Sequence, residues 1–120
     1  HFNISHCRNG VACAISDDPV GIDIEGIPQT VKETLAEYIF NDYELEMIRQ
    51  SPTPSVIFTR LWTMKEAVVK LSGRGITGKE QLRPLLLPLY ENDSHWIFHH
   101  IEKPELGYVC TIAEDSQNYK

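Results

Sequence analysis

The segment from Thr53 to Gly73 constrains this chain more than any other. Thr53-Pro54 starts a helix, because proline suits the first helical turn. Gly73 stops it, as a residue able to take up the left-handed conformation at a helix end. The spacing predicts a helix to about Ser72, with Trp62, Glu66 and Lys70 at i, i+4 and i+8 on one stripe and Lys65 beside it.

Extended segments flank this helical middle. Phe2 to Ile4 reads as a strand, Asn9-Gly10 as a hairpin turn, Val11 to Ile15 as a compact buried strand and Asp17-Asp18-Pro19 as a second turn. Val20-Gly21-Ile22-Asp23-Ile24-Glu25 alternates, with Val20, Ile22 and Ile24 on one face and the two carboxylates on the other. The first 26 residues therefore read as a small antiparallel meander. Thr30 is the expected N-cap of a helix from Val31 to about Tyr38, with Glu33 completing a capping box. Asn41 is the expected cap of a second short helix through Ile48. Residues 73–78 read as a flexible glycine-rich loop, and Gln81 to Tyr90 reads equally as short helix or extended chain. His95 to Glu102 and Gly107 to Ala113 form two further strands around Lys103-Pro104-Glu105, and the polar tail from Glu114 is expected to fray. The order of strands, helices and strands predicts one α+β domain over residues 1–120, an antiparallel sheet packed against helices.

Composition narrows the function. Eleven Lys and Arg stand against 17 Asp and Glu, a net charge of −6. That balance excludes a general nucleic-acid binder, which needs a basic face to displace counterions. An anionic substrate stays possible, because a bound metal reverses the local sign. No apolar run approaches the ~20 residues that span a bilayer, and no signal-peptide pattern is seen. Cys7, Cys13 and Cys110 are odd in number and form no CxxC pair, the usage of free thiols in a reducing, cytoplasmic compartment. His6 and Cys7 point to opposite faces of a strand and cannot serve each other, and the same holds for His99 and His100. The chain begins at His1 rather than Met, as expected of a fragment or a processed chain.

The chemistry concentrates in two places. Asp23 and Glu25 project from one strand face, where they read either as a solvated polar edge or as ligands around a cation, all-oxygen ligation suiting magnesium or manganese rather than zinc. Glu66 and Lys70 alone read as a surface ion pair. A third carboxylate, two lysines and a glycine-rich loop beyond the helix together make a phosphate-handling set.

Three blocks then carry a family resemblance. Phe2-Asn3-Ile4-Ser5-His6 resembles an FNxSH segment, Val20 to Glu25 resembles a GIDxE segment, and Leu61 to Lys70 resembles a WxxKEAxxK helix followed by Gly73 and Gly75. In that order they resemble the C-terminal half of an Sfp-type 4′-phosphopantetheinyl transferase. The resemblance covers residues 1 to about 78 by motif and the terminal strand pair by general pattern. It implies one half of that family's fold. It also implies transfer of the phosphopantetheine arm of coenzyme A to a serine of an acyl- or peptidyl-carrier protein, with release of 3′,5′-ADP. Asp23, Glu25 and Glu66 would ligate Mg2+ on the pyrophosphate, and Glu66 would act as general base on the carrier serine. Lys70 would contact the pyrophosphate and Lys65 would be a secondary phosphate contact. Ser5 and His6 would hold the 3′-phosphate of coenzyme A, with Asn3 a further candidate. Trp62 reads as core packing, and Arg74 as a solvated loop residue. The acidic segment around Tyr38 to Ile48 argues against its being the main docking surface for an acidic carrier protein.

The family has two similar halves with the active site between them, and nothing here represents the first. The expectation is a missing N-terminal half or pairing as a homo-oligomer, with exposed apolar surface where the partner belongs. The small holo-acyl-carrier-protein synthases are of this length but lack an FNxSH block. Two alternatives stand beside the enzyme: a non-catalytic remnant that binds carrier protein or a partner half, and a magnesium-dependent phosphate enzyme with another substrate.

Overall fold

The computed structural model describes residues 1–8, 10–73 and 79–116, with Lys79 described by its backbone alone. In chain order the elements are β1 (Phe2–Cys7), β2 (Gly10–Ile15), β3 (Gly21–Gly26), α1 (Glu33–Ile39), α2 (Asp42–Gln50), α3 (Pro54–Ser72), α4 (Lys79–Leu82), α5 (Leu87–Tyr90), β4 (Trp96–Lys103) and β5 (Tyr108–Asp115). The class is α+β, as the order of segments predicts.

Two antiparallel sheets form. β1 and β2 pair as a hairpin from Cys7↔Gly10 out to Phe2↔Ile15. β3, β5 and β4 make a second sheet in that spatial order. The first 26 residues are therefore not one meander, because the backbone of β3 pairs with β5, from Gly21↔Ala113 to Gly26↔Tyr108, and meets β1 through side chains. Nor is β2 buried on both faces: Val11 and Ile15 are 75% and 84% exposed. With Phe2 and Ile4 they form an uncovered apolar face on the hairpin, while Ala12 and Ala14 pack inward. Asn9 of the expected turn lies outside the described residues.

α3 lies on the three-stranded sheet, and its length and ends are those predicted. Gly73 has φ of 70°, which glycine adopts without strain. The helix buries Phe58, Leu61, Met64, Ala67 and Val68 in a core shared with Phe40, Leu45, Ile48 and Leu86. Close approach depends on Gly21. A Cβ there would stand 1.9 Å from the Ala67 carbonyl oxygen of α3. The Thr63 and Thr111 hydroxyls, 2.7 Å apart, join α3 to β5.

The smaller elements follow their caps. Asn41 accepts from Glu44 N–H while Glu44 accepts from Asn41 N–H, a full capping box. α1 departs from expectation. It starts at Glu33 with Lys32 as N-cap and no side-chain cap, because Glu33 is engaged with Arg49 of α2 instead. Gln81 to Tyr90 resolves into short helical turns, α4 and α5. β4 and β5 form the expected hairpin around a 3-10 turn at Pro104–Leu106. Glu114 and Asp115, expected to fray, are instead paired in β5 with Ile97 and Trp96, while residues 74–78, of the predicted flexible loop with Arg74 and Gly75, and the tail from 117 lie outside the described residues. Among the described residues no helix is long and apolar enough to cross a membrane.

Candidate active site

The alternation of β3 and the turn period of α3 bring four of the predicted side chains together. Lys70 Nζ donates to the Ile22 carbonyl at 3.0 Å and stands 3.5 Å from Asp23 Oδ1. Asp23 is buried, at 3% exposure. Glu25, two residues on, and Glu66, one turn before Lys70, share its field. Asn3 and Ser5 reach β3 from β1: Asn3 Oδ1 accepts from Ile22 N–H, and Ser5 Oγ accepts from Ile24 N–H. Ser5 Oγ also lies 3.1 Å from Asp23 Oδ1.

Three carboxylates with one lysine are short of positive charge. Burial pushes the Asp23 carboxyl up to about 7; the Glu25 charge and a hydrogen bond shared with the Glu25 carboxyl push the same way, while Lys70 and Ser5 pull it down. Burial raises Glu25, with Glu66 adding to it. Glu66 is raised by burial and then by Asp23. Each shift says that the ionised form lacks a counter-charge. Asp23 Oδ2 is buried without a hydrogen-bond partner, which is costly for a carboxylate oxygen. Among the described residues no three His, Cys, Asp or Glu side chains stand close enough together to hold a metal ion as they are placed. The donor chemistry of Asp23, Glu25 and Glu66, all carboxylate oxygen with one oxygen unclaimed, fits a hard divalent cation such as Mg2+.

The other predicted residues go elsewhere. Lys65 is fully buried on the far side of α3. Its ammonium donates to the Ile39, Leu82 and Arg83 carbonyls and lies 2.7 Å from Glu44 Oε1. With three protons and four acceptors it has nothing left for a phosphate, so the expected secondary contact does not fit this placement. His6 is exposed and points away from β3, opposite to Ser5. Trp62 packs against the core, as read, and also walls a cavity of about 450 Å³ with Glu25, Tyr38 and Phe58.

Some residues that build the site went unnoticed in the sequence. Gly21 admits the helix, and the only signal was a glycine inside a strand, which marks close backbone approach. Glu44 and Tyr90 complete the Lys65 cluster, with Tyr90 Oη donating to Glu44 Oε2 at 2.8 Å. Burial and the Glu44 charge push the Tyr90 hydroxyl up, while burial pushes Lys65 down against Glu44. No local pattern announces that pairing, since its members come from α2, α3 and α5.

The fold and site define an α+β domain with a carboxylate–lysine centre between a sheet strand and its covering helix. Residues 19–113 match the family model of the 4′-phosphopantetheinyl transferase superfamily, and the chain belongs to that superfamily. It is 42% identical over 125 residues to the 4′-phosphopantetheinyl transferase gsp of Aneurinibacillus migulanus, covering 94% of this chain and 51% of that protein. It is 38% identical over 91 residues to HetI of Nostoc, with 72% of this chain and 38% of the relative covered. It is 34% identical over 79 residues to Sfp of Bacillus subtilis, with 64% and 35% covered. The chain thus spans about half the length, or less, of these curated relatives.

Proposed function

We propose that the protein to which this chain contributes moves the 4′-phosphopantetheine arm of coenzyme A onto a serine of an acyl- or peptidyl-carrier protein, releasing 3′,5′-ADP. The observation that supports it most is the meeting of Asp23, Glu25, Glu66 and Lys70 across β3 and α3, with Asp23 Oδ2 buried and unpartnered. The names of the relatives point the same way. Asp23, Glu25 and Glu66 would hold Mg2+, which when bound supplies charge neutralisation at the pyrophosphate oxygens. Lys70 adds a point charge toward the same oxygens. The carrier serine oxygen attacks the phosphorus on the pantetheine side. The new Oγ–P bond forms as the pyrophosphate P–O bond breaks, and the electron pair leaves with 3′,5′-ADP. Glu66 takes the serine proton. Burial and the Asp23 charge push its carboxyl up, which makes the carboxylate a stronger base for that proton. Of Ser5, His6 and Asn3, the candidates for the 3′-phosphate, His6 is the exposed one on β1.

The rest of the centre belongs to a second half, from a longer protein or a second copy. The uncovered face of Phe2, Ile4, Val11 and Ile15 supports that reading. We place the protein in the cytoplasm, a compartment suited to free Cys7, Cys13 and Cys110.

The test is to incubate the chain with Mg2+, coenzyme A and an apo carrier protein, and to weigh the carrier by mass spectrometry. Gain of one phosphopantetheine arm, lost in Glu66→Gln with the fold retained, is expected once both halves are present. No gain with both halves folded and paired overturns the transferase reading in favour of a binding remnant.

A further inference from the structure

β3 presents the Ile22 and Ile24 N–H groups on the edge turned away from β5. Among the described residues no strand pairs with that edge in the sheet. The donors are met instead by side chains of β1, Asn3 Oδ1 at 3.0 Å and Ser5 Oγ at 3.0 Å. Ser5 does more than its neighbour. It is 5% exposed, and its hydroxyl is 3.1 Å from Asp23 Oδ1.

A hydroxyl has one proton and two lone pairs. The Ile24 N–H can only donate, so it takes a lone pair of Ser5 Oγ. The one Ser5 proton is left for Asp23 Oδ1. The backbone of β3 thus fixes the direction of the hydroxyl. Asp23 Oδ1, held by Ser5 on one side and near Lys70 Nζ at 3.5 Å on the other, is occupied. Oδ2 is the oxygen left over, buried with no N–H or hydroxyl donor, and the one group the Asp23 carboxyl shares a proton with besides Ser5 is the neighbouring acid Glu25. Ser5 and His6, adjacent on one strand, face opposite sides, so their side chains do not converge on one group.

We propose that Ser5 is a positioning residue for Asp23, whose hydroxyl fixes Oδ1 and so presents Oδ2 to the divalent cation, and that it is not a contact for the 3′-phosphate of coenzyme A. This rests on the metal reading given under the proposed function. It assigns the FNxSH strand two jobs on two faces: Asn3 and Ser5 clasp β3 from the inner face, and His6 stays free on the outer one.

The test needs no turnover. Mn2+ binding to the chain is followed by electron paramagnetic resonance, with Mn2+ itself as the probe, for wild type, Ser5→Ala, Ser5→Thr and Asn3→Ala. Loss of a hydrogen-bonding residue behind a metal ligand weakens the metal about tenfold. Ser5→Ala is expected to show that loss, and Ser5→Thr to regain most of it. Asn3→Ala loses a bond to β3 of the same kind but none to Asp23, and separates weakened strand docking from lost aim. It should bind Mn2+ more tightly than Ser5→Ala does. Calorimetry with coenzyme A and 3′-dephospho-coenzyme A forms the second arm. Ser5→Ala should weaken both equally if Ser5 positions Asp23. A preference for the 3′-phosphate that collapses in Ser5→Ala overturns the proposal, as does Mn2+ affinity equal to wild type. A wild-type chain that binds no Mn2+ overturns the cation reading itself and this inference with it.

Discussion

Replacing Gly21 by alanine tests how the site is assembled. The added Cβ would lie 1.9 Å from the Ala67 carbonyl oxygen and 2.8 Å from the Leu71 nitrogen, whereas real Cβ contacts hold at 3.0 Å or more. Both neighbours are helix backbone and cannot swing aside as a side chain would. α3 must therefore back away from β3 by about 1 Å or more, in a core with little slack. The Lys70 Nζ bond to the Ile22 carbonyl, 3.0 Å long, is then stretched past the ~3.5 Å at which a hydrogen bond fails. Overpacking costs about 1–3 kcal/mol, and losing a charged hydrogen bond about 1.5–3 kcal/mol more. The sum is about 4 kcal/mol, which for a chain of this size lowers Tm by about 15 °C.

Thermal unfolding followed by circular dichroism reads this directly. Two other glycines calibrate it. Gly26→Ala meets nothing nearer than Gly107 O at 3.9 Å and should stay within about 0.5 kcal/mol of wild type. Gly73→Ala meets no atom within 4 Å but sits at φ +70°, so it should lose only the left-handed penalty of about 1–2 kcal/mol. A Gly21→Ala variant melting within about 3 °C of wild type would refute the claim that α3 is seated on bare β3 backbone.

The charge of the site gives further expectations. Asp23, facing Glu25, Glu66, Lys70 and the Ser5 hydroxyl, has its carboxyl raised from 3.8 to about 7 by burial first and Glu25 second. Its favourable contribution to folding is complete below the ordinary carboxylate range and is lost as pH rises through about 7. In a chelating buffer the chain should therefore lose on the order of 3 kcal/mol between pH 5 and 8. Asp23→Asn should lose distinctly less over that window, keeping only the part due to Glu25 and Glu66, whose carboxyls burial also raises, and saturating Mg2+ should flatten the wild type; identical melting profiles for wild type and Asp23→Asn would refute the assignment. At the buried pair, Glu44→Gln or Lys65→Met alone should cost about 3–5 kcal/mol by stranding its partner. The double variant Glu44→Gln with Lys65→Met should cost less than the two singles combined, with a coupling of about 2 kcal/mol or more in urea unfolding. Coupling near zero would mean that the carbonyls of Ile39, Leu82 and Arg83 satisfy the ammonium unaided.

What the sequence made legible depends on how far apart the partners lie. α3 and the start of α2 were readable because their signals are local: Thr53-Pro54 and Gly73 bound the one, and Asn41 caps the other. The pairing of β3 with β5 was not readable, because Gly21 and Ala113 are far apart in the chain and nothing near β3 names its partner. Thr30 with Glu33 had the pattern of a capping box, yet the charge of Arg49 on the neighbouring helix claimed Glu33. Tertiary context overrode a local motif there, as it did for Val11 and Ile15, whose apolar run is open to one side.

The centre shows the same division more sharply. Asp23, Glu25, Glu66 and Lys70 were legible because strand and helix periods place them on faces that must meet once α3 covers the sheet. Lys65 was misplaced by adjacency. One residue along a helix is about 100° around it, and that rotation takes Lys65 from the edge of β3 to the carbonyls closing α1 and α4. So the run Lys65-Glu66 serves two masters: Glu66 faces the acidic centre while Lys65 ties the same helix to α1 and α4 at its back. Ser5 and His6 divide in the same way across β1. In both places the neighbouring residues of a motif do different work, because helix and strand turn consecutive side chains to different sides. A motif read as a unit hides the residue that holds the site in place behind the one that faces the substrate.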